Sequence, residues 1–267
     1  MLWNASSLRG FAVEATDGAI GTVGDLLFDD QSWTVRWLVV ETGSWLASRN
    51  VILPVSALGK PHEATRKFTV DLTRKQVRDS PDIETSEPVS RFKEAHVYNY
   101  YDWNPYWTSG FASMSNAIAT PTVLPFGRDD VAPRYQDSGT DAVQTDGDPH
   151  LRSARAVIGY HVAATDGEIG HVEDFLIDDV SWHLPYMTVD TKNWLPGERV
   201  LLPVRTIREI DWATKMLHVG IDRAKVKGSP PYDPQMISDG PFNDRSHAYF
   251  GLTLLDGDEL RTLKIGA

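Results

Sequence analysis

The chain repeats itself at a spacing of 149 residues, and that repetition constrains its fold more than any other feature. Thr16, Asp17, Gly18, Ile20 and Gly21 return as Thr165, Asp166, Gly167, Ile169 and Gly170. Asp29, Asp30, Ser32 and Trp33 return as Asp178, Asp179, Ser181 and Trp182. Trp45-Leu46 comes back as Trp194-Leu195, Leu53-Pro54-Val55 as Leu202-Pro203-Val204, and Ser80-Pro81 as Ser229-Pro230. About 30 of the roughly 72 ungapped pairs between Gly10 and Pro81 are identical, far more than unrelated segments share. Even Tyr100-Tyr101 falls opposite Tyr249-Phe250. The 267 residues therefore read as two homologous domains, expected over 1–101 and 154–250, with a linker over 102–153 and a tail over 251–267.

Within each repeat the signals are short strands and turns. Thr16-Asp17-Gly18 and Thr165-Asp166-Gly167 are turn sequences in which glycine supplies a positive φ. Ile20–Phe28 and Ile169–Ile177 read as strands, and Gly21 and Gly170 inside them point to a bulge or a close backbone approach. A third strand covers Thr34–Thr42. Leu38 and Val40 pair with Met187 and Val189, whereas Val39 and Glu41 pair with Thr188 and Asp190, so the first face is the expected core face. Strands at Val51–Val55 and Val200–Val204 carry a proline near their end, which demotes the strand end to an edge position. Short strands at Phe68–Leu72 and Leu217–Ile221 come next. Thr73 and Asp222 then cap short helices at Arg74–Arg78 and Arg223–Lys227. Five or six short strands in about 70 residues describe a small β-barrel. A further helix is expected over about Pro88–Tyr101.

The segment between the repeats is different in kind, rich in Pro, Gly, Ser, Thr and Asp, and reads as a long, partly extended linker. Its start is aromatic: Tyr98, Tyr100, Tyr101, Trp103, Tyr106, Trp107 and Phe111. So many rings predict packing against a domain or a second subunit.

The pattern G-x-x-V-x-x-T-D-G-x-I-G-x-V-x-D-x-L-x-D-D from Gly10, followed by V-x-T-x-x-W-L, L-P-V and R-x-x-V-x-x-S-P, resembles the PRC-barrel family in both repeats. That superfamily includes the cytoplasmic domain of the photosynthetic reaction-centre H subunit and the C-terminal domain of the ribosome maturation factor RimM. The tail from Pro88 through Tyr100, Tyr101, Trp103 and Trp107 looks like that of stand-alone tandem PRC-barrel proteins. The resemblance implies a mainly β fold of two barrels, each followed by short helices, and a docking or assembly role. Neither the reaction-centre subunit's membrane helix nor RimM's added N-terminal barrel is expected here.

Candidate chemistry is sparse. No cysteine is present, which removes disulfides, thiolate metal sites and cysteine nucleophiles. Asp25, Asp29 and Asp30, with Asp174, Asp178 and Asp179, are either turn residues or a hard-cation cluster, and their spacing is not that of an EF-hand. The histidines at 62, 96, 150, 161, 171, 183, 218 and 247 show no H-x-x-x-H spacing. His161, His171, His183 and His218 all fall on expected strands of the second repeat, as surface residues or as a metal or pH-sensing group. No nucleophile elbow, P-loop or dinucleotide fingerprint occurs, so no enzyme, cofactor or metal is expected. Trp45-Leu46 and Trp194-Leu195 are either plugs over a barrel end or exposed anchors for a partner.

The expected function is a non-enzymatic adaptor or assembly module. Its barrels pair inside the chain or between chains, most simply as a homodimer. Trp45, Leu46, Trp194, Leu195, Tyr100, Tyr101, Trp103, Tyr106 and Trp107 are the interaction candidates, and Asp17, Gly18, Gly21, Asp166, Gly167 and Gly170 the structural turns. The alternatives are a small-molecule or metal-ion binder using the second repeat, and a ribosome-assembly factor by analogy with RimM. The net charge of −11 argues against direct nucleic-acid binding. The acidity is greatest over 159–267, with 11 basic against 17 acidic residues, so a basic partner would find its footprint there. No stretch approaches the ~20 apolar residues of a spanning helix, and no leader is evident, so a cytoplasmic location is expected.

Overall fold

The computed structural model describes residues 1–46, 48–81, 91–101, 103, 150–191, 198–229, 232 and 249–250. The first repeat begins with strand β1 (Leu2–Asn4) and a one-turn helix α1 (Ala5–Leu8). It continues through β2 (Ala12–Ala15), β3 (Gly18–Asp29), β4 (Thr34–Glu41), β5 (Asn50–Pro54), β6 (Lys67–Thr69), α2 (Arg74–Arg78) and α3 (Arg91–Tyr100). The second repeat runs through β7 (Leu151–Ser153), α4 (Ala154–Val157), β8 (His161–Ala164), β9 (Gly167–Asp178), β10 (Tyr186–Asp190), β11 (Arg199–Pro203), β12 (Ile207–Asp211), β13 (Met216–Val219) and α5 (Arg223–Lys227). The fold is mainly β, in two sheets. One has the order β5-β4-β3-β2-β6, the other β11-β10-β9-β8-β13-β12.

Each sheet is completed by a strand from the other repeat. β1 pairs antiparallel with β9, setting Leu2 opposite Asp178 and Asn4 opposite Leu176. β7 pairs antiparallel with β3, setting Leu151 opposite Asp29 and Ser153 opposite Leu27. The two pairings are the same contact made twice, because Leu2 and Leu151 occupy equivalent positions. Residues 151–153, within the stretch expected to be linker, form a sheet strand. Three residues carry too little pattern to announce a strand, and their partner lies more than a hundred residues away.

The long strands owe their bend to two glycines. A Cβ on Gly21 would lie 2.1 Å from the Glu41 carbonyl oxygen, and one on Gly170 2.0 Å from that of Asp190. Next to each the register slips by one residue, between Val13 and Glu14 and between Val162 and Ala163, which is a β-bulge. The proline-ended strands β5 and β11 sit at sheet edges, where a missing N–H costs no ladder bond. Helix α2 carries a full capping box, Thr73 with Gln76, and Asp222 caps α5 through Lys225 N at 2.7 Å.

The core runs through both repeats as one cluster. Leu38, Val40, Phe28 and Phe68 join Phe175, Ile177, Met187 and Val189 in it. The face reading holds for Leu38 and Val40 but is incomplete, because Trp37 and Val39 are buried as well. Helix α3 covers that second face, packing Val97 and Tyr98 onto Leu27, Trp37, Val39 and Ile52. The Trp37 indole N–H donates to the buried Glu94 carboxylate of α3. Thr188 is buried too, its hydroxyl donating to the Asp174 carbonyl at 3.2 Å.

Candidate functional site

The sequence motif Asp-Asp-x-Ser-Trp, present twice, folds into the place where the repeats meet. Asp29 Oδ1 accepts from the Gln31 and Ser32 amides, and Asp178 Oδ1 from those of Val180 and Ser181, closing a tight turn. The turn throws Trp33 and Trp182 into positive φ, at 51° and 58°. Immediately after it, Thr34 and His183 pair with each other in an isolated antiparallel bridge. Val35 N donates to Trp182 O at 2.8 Å, and Leu184 N to Trp33 O at 2.7 Å. Equivalent residues thus bond to one another, which is what a two-fold axis does to an isologous interface.

Aromatic rings fill the space around that pseudo-two-fold axis. Trp33 stacks on Phe28 with centroids 5.3 Å apart, and both approach Phe175, at 5.9 and 5.8 Å. Trp182 reaches the other way to Phe68 at 6.1 Å. Trp3 places its backbone on the second sheet and its ring edge-on to Phe11 of the first, 5.9 Å away.

The remaining aspartates hold the exchanged arms. Asp174 accepts from Ser6 N at 3.1 Å and Ser6 Oγ at 2.5 Å, and Asp25 accepts from Arg155 N at 3.2 Å and Ser153 Oγ at 2.5 Å. Asp30 takes Arg152 Nε and contacts His150 Nδ1, each at 3.1 Å, while Asp179 accepts from Met1 N at 2.6 Å and from Trp3 Nε1 at 3.3 Å. The turn reading therefore describes Asp29 and Asp178 only. The other four are long-range acceptors, a role that the motif alone does not reveal because the donors lie 120 to 178 residues away.

Burial pushes the Asp174 carboxyl above its ordinary range, opposed by the Ser6 hydroxyl and by the amides of Phe175 and Ser6. Burial also acts on Asp178, but the Ser181 and Val180 bonds and the chain's amino terminus outweigh it and hold that carboxyl low. His183 is held below the ordinary imidazole value by burial and by the nearby Arg205 charge. Its place beside the pseudo-axis departs from the expected strand surface. His161 meets Glu168 at 2.7 Å, and His171 lies 3.8 Å from Asp190. Among the described residues no three His, Asp or Glu side chains converge as metal ligands would.

The Thr-Asp-Gly turns have a second duty. Gly18 and Gly167 take φ values of 136° and 143°, and Asp17 and Asp166 accept from the first amides of α2 and α5, at 2.7 and 2.8 Å. Trp45 is half-buried against the core, donates its indole N–H to the Ile20 carbonyl, and lies under the Arg74 guanidinium at 4.5 Å. Leu46 packs beside it. Trp194, Leu195, Tyr106 and Trp107 lie outside the described residues. Tyr101 stacks on Trp103 at 4.3 Å, and burial pushes the Tyr101 phenol up to about 12. Tyr100 is 40% exposed, with its hydroxyl donating to the Gln76 carbonyl at 2.9 Å. Tyr249 repeats that contact on the Lys225 carbonyl at 2.8 Å, so the duplication extends to the aromatic pairs.

Two small sheets, each completed by an arm from the other repeat, are what the described residues build. Residues 4–77 match the family model of the PRC-barrel domain, and this first repeat is consistent with a PRC-barrel family, whose members are in general protein-interaction or assembly modules. The second repeat is tied to it by the internal identities and by the shared contacts above. No curated protein matches the chain. No helix among the described residues is long and apolar enough to cross a membrane.

Proposed function

We propose that the chain is a non-enzymatic assembly module made of two PRC barrels, the second as well as the first, paired with each other inside one polypeptide. The reciprocal exchange of β1 and β7 carries this reading. An isologous pairing normally needs two chains, and here both halves of it are covalently joined. On this reading the pairing expected of a homodimer is made within the molecule. An outside partner then has the aromatic tail to dock on, beside the exposed Tyr100 and the end of α2.

A cut chain tests this. A specific protease site is placed in the full-length protein between Trp103 and His150, and the folded protein is cleaved. The two pieces should stay together through gel filtration, at the mass of one 29.8 kDa chain, and separate only when unfolded. Pieces that part under native conditions, or an uncut protein that runs as a stable two-chain particle, would refute the self-paired reading. Replacing Tyr100 and Trp103 with alanine should leave the cut pieces associated, because neither ring lies on the pseudo-two-fold axis.

A further inference from the structure

We propose that the chain binds a small organic anion with a flat body in a cleft beside the pseudo-two-fold axis. The cleft holds about 420 Å³, within the usual size for small-molecule sites, and opens between the first repeat's Asp30–Trp33 turn, the arm β7 and the strand β12. Trp33 and Trp212 supply its aromatic wall, and Arg152 and Arg208 its positive charge.

Arg152 is preorganised. Asp30 holds its Nε at 3.1 Å, and its guanidinium lies 4.0 Å over the Trp212 ring, which Tyr160 backs edge-on at 6.1 Å. Asp30 is itself braced by His150 at 3.1 Å. A guanidinium fixed at Nε keeps its two terminal nitrogens for a ligand, and these have no acceptor among the described residues. Arg208 has no hydrogen-bond or ion-pair partner among the described residues. Two arginines beside two indoles match a carboxylate or phosphate on a flat ring: the charge meets the guanidinium donors while the ring covers indole surface. Asp30, paired with Arg152, and Glu209 also line the cleft and work against an anion, which leaves Arg208, among the described residues, as its one unpaired charge of positive sign.

The other side of the axis lacks this chemistry. Trp3 stands where Arg152 does, Gly59 in place of Arg208, Lys60 in place of Glu209 and Glu63 in place of Trp212. Strand β12 has only the isolated bridges Leu58–Val70 and His62–Lys67 as its counterpart. The cleft is therefore a property of the second repeat's own residues set against the first repeat's turn. The inference is independent of the assembly reading, since a ligand site needs no protein partner.

Titration calorimetry of the full chain with phenyl phosphate and benzoate, and with inorganic phosphate as the ringless control, tests the site. The aryl anions should bind with dissociation constants on the order of 1 mM or below, as their size allows, and inorganic phosphate more weakly. Arg208→Gln should weaken phenyl phosphate about three- to tenfold, and Glu209→Gln should tighten it about two- to fivefold. Both variants sit outside the core, and circular dichroism confirms that they fold. If neither aryl anion binds the wild-type chain at 10-fold the expected constant, the site is refuted. Binding that ignores both substitutions, or inorganic phosphate binding as tightly as its phenyl ester, also overturns it.

Discussion

Removing either arm-holding carboxylate should loosen the molecule at one defined joint. Asp174→Ala deletes acceptors for Ser6 N, Ser6 Oγ and Phe175 N. Hydrogen bonds to a charged acceptor contribute about 1.5–3 kcal/mol each, so the three together offer at most about 5–9 kcal/mol. Against this stands the cost of burying a carboxylate, several kcal/mol, which shows as the raised pKa of Asp174. The net loss on substitution is then about 2–4 kcal/mol, a large share of the roughly 5–15 kcal/mol that holds a domain folded. Asp25→Ala also deletes three bonds, from Ser153 Oγ, Arg155 N and Leu26 N, in a less buried setting and should cost about 1.5–3 kcal/mol. Urea titration followed by tryptophan fluorescence measures both losses. Amide exchange localises them: Ser6 and Ala5 should exchange faster in the first variant, Arg155 and Ala156 in the second. Two variants within about 0.5 kcal/mol of wild type, with arm exchange unchanged, would refute the claim that these carboxylates hold the arms.

Four further outcomes are expected. Gly21→Ala or Gly170→Ala should destabilise by about 3 kcal/mol or more in thermal unfolding, because the added methyl meets a backbone carbonyl across the sheet rather than a movable side chain. Stability should fall as pH drops from 6.5 through the depressed pKa of His183, since the unfolded chain takes up that proton first; His183→Gln should flatten this limb of the profile. Asp174 acts in the opposite sense at lower pH: its raised pKa means that the ionised carboxylate costs stability, and the cost is relieved as pH falls from that pKa towards 3.8. Phe175→Ala, which empties the centre of the aromatic cluster, should cost about 3–5 kcal/mol and make the cleaved chain fall apart.

The parts of this fold legible in the sequence are those whose cause is local or repeated. Thr73 and Asp222 announce short helices because a cap needs only the next three residues. Gly21 and Gly170 point to a tight approach because nothing else in a strand interior favours glycine. The burial of Trp37 and Val39 was not legible, because the helix covering them is supplied from residues 91–100 and leaves no mark on the period of β4. The arms were hidden for the same reason, with three residues each and partners in the other repeat. The cleft was harder still: Arg152, Arg208 and Trp212 share no motif and meet Trp33 only once the repeats are face to face.

The exchanged arms also set an order of events during synthesis. Ser6 and Asp174 are 168 residues apart in the chain. At roughly 5–20 residues per second, β1 and α1 leave the ribosome about ten to thirty seconds before the strand that receives them exists. The first repeat passes that interval with the β7-receiving edge of β3 unpaired and its aromatic cluster half-built. The nascent chain is thus at its most exposed midway through translation, and strands β7 and β9, made in its second half, are the ones that pair with β3 and β1.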